Sequence, residues 1–373
     1  MRRTLFAVAA WIAVLAVAGL AAPPPEAEVQ GFYEGAWKGG AGEGGKLEAR
    51  VVAQGKNVYK IHIDQQAAGG KVTKAVLDGK PAGDKLVFGG KARGVEWEGV
   101  YANGEIRGRA GQGGEFELAR VIKKSPTLGK KPPEGAVVLL DGKDFSQLAR
   151  RGGAQWFLGD MTRNGWTVWE VPLRIIAGRE PAQWPSKDTV LPEGWELGKE
   201  RRRADTVIGI GDDGSIQIPR GGMNSKQRFE GSFDLHVEFM TPLRATARSQ
   251  GRGNSGVYLP CGEEIQVLDS FGMTSYEGGC CGGLYRWKNP DAFDKFSLAC
   301  YPPLTWQTYD VAYRVRKGDK GKPAGYITVH HNGIKIHDNV RLRRKPRKGN
   351  FHFQDHGNPV RYRNIWVLPV KGE

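Results

Sequence analysis

The stretch "DLHVEF", residues 234–239, alternates apolar and polar side chains without a break. Successive side chains of an extended strand point to opposite faces. Leu235, Val237 and Phe239 therefore share one face, and Asp234, His236 and Glu238 share the other. A carboxylate–imidazole–carboxylate row is either a solvated outer surface or the floor of a polar cleft. Two further stretches repeat the arrangement. In "EEIQVLDS", residues 263–270, Ile265 and Val267 oppose Glu264 and Gln266. In "NFHFQDHG", residues 350–357, Phe351 and Phe353 oppose Asn350, His352 and Gln354. If these strands are neighbours in one sheet, their polar faces make a candidate cleft.

Outward from these stretches the same period continues. Glycine is abundant, long helical periodicity is nearly absent, and short alternating segments recur between turn signals, which is an all-β pattern. Between Gly31 and Val121, "GFYEGAWKGG", "KLEARVVAQG", "VYKIHIDQQ", "DKLVFGG", "VEWEGVYANGEIRGRAG" and "GEFELARV" read as consecutive short strands. The Asn103-Gly104 pair inside the fifth is a hairpin signal, because both residues tolerate positive φ. Residues 26–122 thus read as a small antiparallel barrel or sandwich with no catalytic constellation. "KKSPTLGKKPPEG", residues 123–135, is a linker by composition: its prolines cannot join a central ladder, and its lysines favour water. A second all-β block follows, residues 136–373.

The chain has 373 residues, enough for two domains with proper cores. Its beginning reads as an export signal over residues 1–22. Arg2 and Arg3 precede an apolar run from Leu5 to Leu20, and Gly19-Leu20-Ala21 offers a small-x-small cleavage site. A membrane anchor is the competing reading of a run that is barely long enough to span. Cleavage implies a periplasmic or secreted protein with no stable membrane insertion. Four cysteines, Cys261, Cys280, Cys281 and Cys300, would then meet an oxidising setting. One or two disulfides are expected, with Cys280 and Cys281 pairing outward to Cys261 and Cys300; a zinc site is the weaker alternative. The formal net charge of +15 suits an acidic partner. No nucleic-acid module accompanies the basic runs at residues 201–203 and 341–348, so they read as a solvated basic surface and no nucleic-acid partner is expected.

The second block resembles the 3-keto-disaccharide hydrolase domain family (DUF1080). The resemblance is carried, in order, by "LLDGKDFSQL", "GGMNSKQRFEGSFDLHVEF", "GRGNSGVYL", "EEIQVLDSFG", "GGLYRWKNP", "PPLTWQTYDVAYR", "TVHHNGIKIHDNV" and "FHFQDHGNPVRYRNIWV", from Ala136 to Val370. It implies a concanavalin A-like jelly-roll β-sandwich, preceded here by the small antiparallel β domain. It also implies extracytoplasmic chemistry on an oxidised glycoside or oligosaccharide. The chain departs from the family's pattern at Glu263, where an aromatic residue is usual. It also departs in a tryptophan-rich stretch, residues 151–203, and in a long cysteine-bearing loop.

The implied reaction acts on glycosides already oxidised to a ketone at C3. The ketone acidifies the hydrogen at C2, so a base can remove it, the aglycone leaves C1, and water can add to the new double bond. Such chemistry needs a base near C2, an electrophile at the C3 oxygen and an acid for the departing oxygen. His356 is the first candidate for acid or base, since imidazole titrates near neutral pH; the alternative is a turn histidine. Glu264 is the other, with Gln266 as a neutral partner. Glu264-x-Gln266-x-x-Asp269 resembles the acidic strand of laminarinase-like glycosidases, but glutamine replaces the central acid, which argues against double displacement. Asp269 serves equally well as a structural ion pair. Lys226 could polarise the ketone, or be a plain strand-edge lysine. Asn254, Gln354 and Asp355 could contact hydroxyls or shape turns. Tyr285 and Trp306 could stack on a pyranose, or be core. A divalent metal held by His236, Glu238, Glu264 and His356 is a further possibility. Two other functions stay open: a lectin-like binding protein and a conventional glycoside hydrolase.

Overall fold

A computed structural model describes residues 26–38, 45–66, 72–83, 85–92, 94–111, 113–150, 213–218, 221–273, 279–291 and 299–371. The export signal and the tryptophan-rich stretch lie outside the described residues. Among those described, no helix is long and apolar enough to cross a membrane.

The first unit is a closed barrel of eight antiparallel strands: β1 (Gly31–Lys38), β2 (Lys46–Gly55), β3 (Val58–Gln66), β4 (Val72–Ala82), β5 (Lys85–Ala92), β6 (Val95–Ala102), β7 (Glu105–Ala110) and β8 (Gly114–Val121). Each pairs with the next, and β8 returns to β1. At this strand number the interior is just wide enough for side chains to fill. Leu47, Val51, Ile61, Phe88, Trp97 and Phe116 do so. Asn103 and Gly104, with φ of 49° and 84°, form the two-residue hairpin between β6 and β7. β4 has no counterpart among the strands read from the sequence. Its Gly79 and Pro81 look like breakers, yet Gly79 is there because a Cβ would lie 2.2 Å from the Phe88 ring.

The second unit is a sandwich. Its strands are β9 (Val137–Leu140), β10 (Leu148–Arg150), β11 (Ile216–Gln217), β12 (Met223–Ser225), β13 (Ser232–Met240), β14 (Ser255–Tyr258), β15 (Glu264–Val267), β16 (Gln307–Lys317), β17 (Pro323–His331), β18 (Ile334–Arg341), β19 (His352–Phe353) and β20 (Arg361–Val370). Five form a sheet in the order β10-β12-β19-β14-β15. Seven form its partner, in the order β11-β20-β13-β16-β17-β18, with β9 also on β20. Leu235, Val237 and Phe239 of β13 meet Val257, Ile265, Val267 and Phe353 of the smaller sheet in one core. The inward apolar faces are those expected from alternation. The two units touch through Phe32, whose ring stands edge-on to Phe271 at 5.1 Å and to Tyr301 at 5.6 Å.

The topology corrects one expectation. β13 lies in the seven-stranded sheet, whereas β15 and β19 lie in the five-stranded one. The polar face of "DLHVEF" therefore points away from that of "EEIQV". Nor are its last two members solvated: His236 and Glu238 are 0% and 1% exposed, under the segment that composition marks as a linker, and only Asp234 is partly open to water. Gly129 N–H donates to Glu238 Oε1 at 2.5 Å, and Thr127 Oγ1 to Asp310 Oδ2 at 2.6 Å. His236 Nδ1 lies 3.0 Å from Asp310 Oδ1, and Arg363 Nε donates to Glu238 Oε2 at 2.7 Å.

This network gives stability a pH window. Burial disfavours the ionised carboxyls, but it is outweighed by the His236 contacts and by the Thr127, Gly129, Arg363 and Asn364 donors, and both Glu238 and Asp310 are held at about 2. Their contribution is present above their ordinary pKa values and is lost as pH falls towards 2. Burial opposes charging of His236 too, yet the Asp310 hydrogen bond at Nδ1 and the Glu238 carboxylate 3.6 Å from Nε2 raise it above 6.5. That contribution is complete below about pH 6.5 and is lost as pH rises through the folded-state value. Urea denaturation should therefore show stability declining on the alkaline side, and His236→Gln should remove that limb. An unchanged alkaline limb in the variant would refute the assignment.

The cysteines also depart from expectation: all four are buried free thiols. Neighbours Cys280 and Cys281 meet different partners, Asn289 Oδ1 at 3.7 Å and the Tyr309 hydroxyl at 3.2 Å. Burial raises the Cys261 thiol, which sits beside Tyr313.

Candidate functional site

The outer face of the five-stranded sheet collects polar groups from four strands. Ser255 and Val257 of β14 turn inward, the Ser255 hydroxyl meeting Tyr362 OH at 2.7 Å, so Gly256 and Tyr258 face out. Tyr258 pairs with Glu264 on one side and with His352 on the other, and His352 pairs with Asn224. Gly256 pairs with Gln266, and its carbonyl accepts from the Gln354 backbone. Two adjacent rows result: Glu264–Tyr258–His352–Asn224, and Gln266–Gly256–Gln354.

Glu264 is at the centre of the chemistry. The carboxyl is 7% exposed and accepts a 2.7 Å hydrogen bond from the Tyr258 hydroxyl. Burial is the main cause that pushes its pKa up to about 7, with the Glu263 charge adding and Tyr258 and Arg286 opposing. Burial and the Glu264 contact push Tyr258 up in turn, so it remains a hydroxyl donor at neutral pH. Position 256 must be glycine for this geometry, since a Cβ there would lie 2.3 Å from Glu264 Oε1. Glu263 accepts from Trp287 Nε1 at 2.6 Å, which holds that second carboxyl beside the first.

The amides are arranged around a residue that alternation did not single out. Gln250 Oε1 accepts from Asn254 Nδ2 at 2.7 Å and from Gln266 Nε2 at 2.9 Å. Asn254 is thereby a positioning group. The side-chain Oε1 atoms of Gln266 and Gln354 are buried without a hydrogen-bond partner among the described residues. Buried acceptors are nearly always satisfied, so these two suit the hydroxyls of a polyol. His352 Nδ1 lies 2.7 Å from Asn224 Oδ1, and its ring is 5.4 Å from that of Tyr258. Tyr258 and His352 fall on this face by simple alternation in "SGVY" and "FHF", which is the signal that could have assigned them roles.

The other sequence candidates divide. Tyr285 donates its backbone N–H to the Glu264 carbonyl at 3.1 Å and carries Arg286 over its ring, so it stands at the rim. Lys226 is exposed just past β12, the strand that supplies Asn224. In the turn "QDHGN", Asp355 accepts from Gly221 N and Gly357 N at 2.9 and 2.8 Å, while Asn358 binds the His356 carbonyl. Asp355 is thus a turn former, and His356 projects from the turn exposed. Asp269 is fully buried in an ion pair with Arg252 at 2.6 Å, so its carboxyl is structural. Trp306 carries the Arg363 guanidinium at 4.1 Å from its ring, and Arg363 binds Glu238, so Trp306 belongs to the opposite sheet. The same separation splits the supposed metal ligands. His236 and Glu238 cannot join Glu264 and His356, and among the described residues no group of three His, Cys, Asp or Glu side chains converges to hold an ion.

A family model described as the 3-keto-alpha-glucoside-1,2-lyase-like domain matches residues 135–368. Among solved structures, a protein of Parabacteroides distasonis, provisionally described as a glycosyl hydrolase, is 25% identical over 64% of this chain and 85% of that one, with a TM-score of 0.42. An alginate lyase in complex with an alginate trisaccharide is 11% identical over 43% of this chain and 83% of that one, with a TM-score of 0.28. No curated protein matches.

Proposed function

The chain belongs to the 3-keto-alpha-glucoside-1,2-lyase-like domain family, and from that premise we propose that this carbohydrate-active protein cleaves 3-keto-glycosides by elimination, outside the cytoplasm. The observation that carries the reading is Glu264, a buried carboxyl held at about 7 on a polar, partly amide-lined face. A general base works best when its pKa lies near the operating pH. As a carboxylate, Glu264 takes the proton from C2. The C–H electron pair becomes the C1–C2 double bond, the C1–oxygen bond breaks, and the departing oxygen takes up a proton. The product ring is a 2-hydroxy-3-keto-glycal, to which water can add. The Tyr258 hydroxyl donates to Glu264 and orients it; Gln266 and Gln354 accept sugar hydroxyls. His352, fixed by Asn224, is the second acid–base group within the same row. Gln266, an amide at the next outward-facing position of β15 after Glu264, disfavours the double displacement of ordinary glycosidases, which needs a second carboxyl there.

Product formation from a 3-keto-glucoside and from its unoxidised parent tests the proposal. Cleavage of the keto sugar alone is expected, with kcat/KM rising as pH passes through about 7, because the basic form of Glu264 is the active one. Cleavage of the unoxidised parent would overturn it. Binding of both sugars with turnover of neither would favour the lectin-like alternative.

A further inference from the structure

A hollow lies where the barrel meets the sandwich. It encloses about 290 Å³, walled by β2 and β3 on one side and by residues 248–252 and 271–273 on the other. That volume sits at the lower end of the roughly 300–1,000 Å³ found for small-molecule sites, room for one monosaccharide-sized ring. Its chemistry is one-sided. Lys60, His62, Arg248 and Arg252 line it, and among the described residues no carboxylate does. Arg252 is neutralised by Asp269 behind it, and Lys60 is paired with the exposed Asp78 at 2.6 Å.

Arg248 is different. Its guanidinium donates to the carbonyls of Ala245 at 2.7 Å, Ala247 at 2.9 Å and Gln54 at 3.1 Å. These bonds hold it across the domain junction, and among the described residues no carboxylate forms an ion pair with it. The half-buried Met273 supplies apolar surface beside the cations, while the Phe271 ring is fully buried. The next residue, Ser249, takes a left-handed backbone with φ of 54°, a conformation uncommon outside glycine, asparagine and aspartate. Gln250, one residue further, is the group whose Oε1 organises Asn254 and Gln266 on the candidate site. One short turn therefore has Arg248 and Ser249 in the hollow and Gln250 among the site's amides.

We propose that this hollow binds a sugar unit bearing an anionic group, a carboxylate or sulfate, with the anion on Arg248 and Lys60 and the ring against the half-buried Met273. The barrel is then a binding module that completes a site the sandwich alone lacks. The site stands independently of whether the sandwich catalyses elimination.

Calorimetric titration of the protein with glucuronate, glucose and inorganic sulfate tests this. Glucuronate should bind at least tenfold more tightly than glucose or sulfate. Lys60→Glu and Arg248→Gln should each weaken it at least tenfold. Lys60 is exposed and paired only at the surface, so its variant keeps the test valid even if Arg248→Gln loosens the domain junction. Glu264→Gln should leave glucuronate binding unchanged, which separates this site from the catalytic proposal. Equal binding of glucuronate and glucose would overturn the inference. So would sulfate binding as tightly as glucuronate, indifference to both charge variants, or loss in Glu264→Gln alone.

Discussion

Glu264→Gln is expected to lower kcat for a 3-keto-glucoside on the order of a thousandfold, within the range that general acid–base groups contribute. The replacement keeps size and leaves an acceptor for the Tyr258 hydroxyl, now at 2.7 Å from Glu264 Oε2. What it removes is the capacity to hold a proton in a carboxyl poised at about 7. KM should change little, because Gln266 and Gln354, not Glu264, are assigned to ring hydroxyls. The pH dependence adds an independent readout: the rise through neutrality should vanish in whatever activity is left. His356→Gln serves as the counter-test. His356 projects from an exposed turn whose hydrogen bonds are made by Asp355, Asn358 and the backbone, so its loss should cost far less. A large loss in His356→Gln with near-normal Glu264→Gln would reverse the assignment of the base.

How much of this was legible beforehand follows from the range of each signal. A two-residue period is local, so "DLHVEF", "EEIQV" and "NFHF" each declare an apolar and a polar face correctly. Which strands become neighbours is decided by pairing between residues far apart in sequence, and no period encodes it. That is why alternation alone groups His236 and Glu238 with Glu264, although they lie on the far side of a two-layer core. Composition marked residues 123–135 as a linker, and they contain no strand. Composition could not show that Thr127, Gly129 and Lys130 would satisfy charges buried on the sheet beneath them. The missed strand β4 illustrates the same limit. Gly79 reads as a breaker locally and as space for Phe88 only once the barrel is closed.

The second large effect concerns stability. Arg252→Ala should destabilise the protein by about 3–5 kcal/mol, the range for breaking a buried ion pair by removing one partner. Asp269 is 0% exposed and Arg252 4%, and the guanidinium reaches one carboxylate oxygen with two donors, at 2.6 and 3.1 Å. Without Arg252, the carboxylate would retain, among the described residues, the Phe271 N–H on its other oxygen, at 3.2 Å. An uncompensated charge in that setting costs far more than the net attraction of the intact pair. The loss should also reach the domain junction, because the Asp269 carboxylate fixes the residue whose ring stands against Phe32 of the barrel. Urea denaturation followed by tryptophan fluorescence measures the first effect, and proteolysis of the junction the second. Arg252→Met combined with Asp269→Leu separates the two causes of instability. If the cost is the stranded charge, the double variant should recover much of what Arg252→Ala loses, since apolar pairs of similar volume often replace buried ion pairs without penalty. If instead the double variant is as unstable as the single one, the hydrogen bonds to this particular carboxylate are what the junction requires.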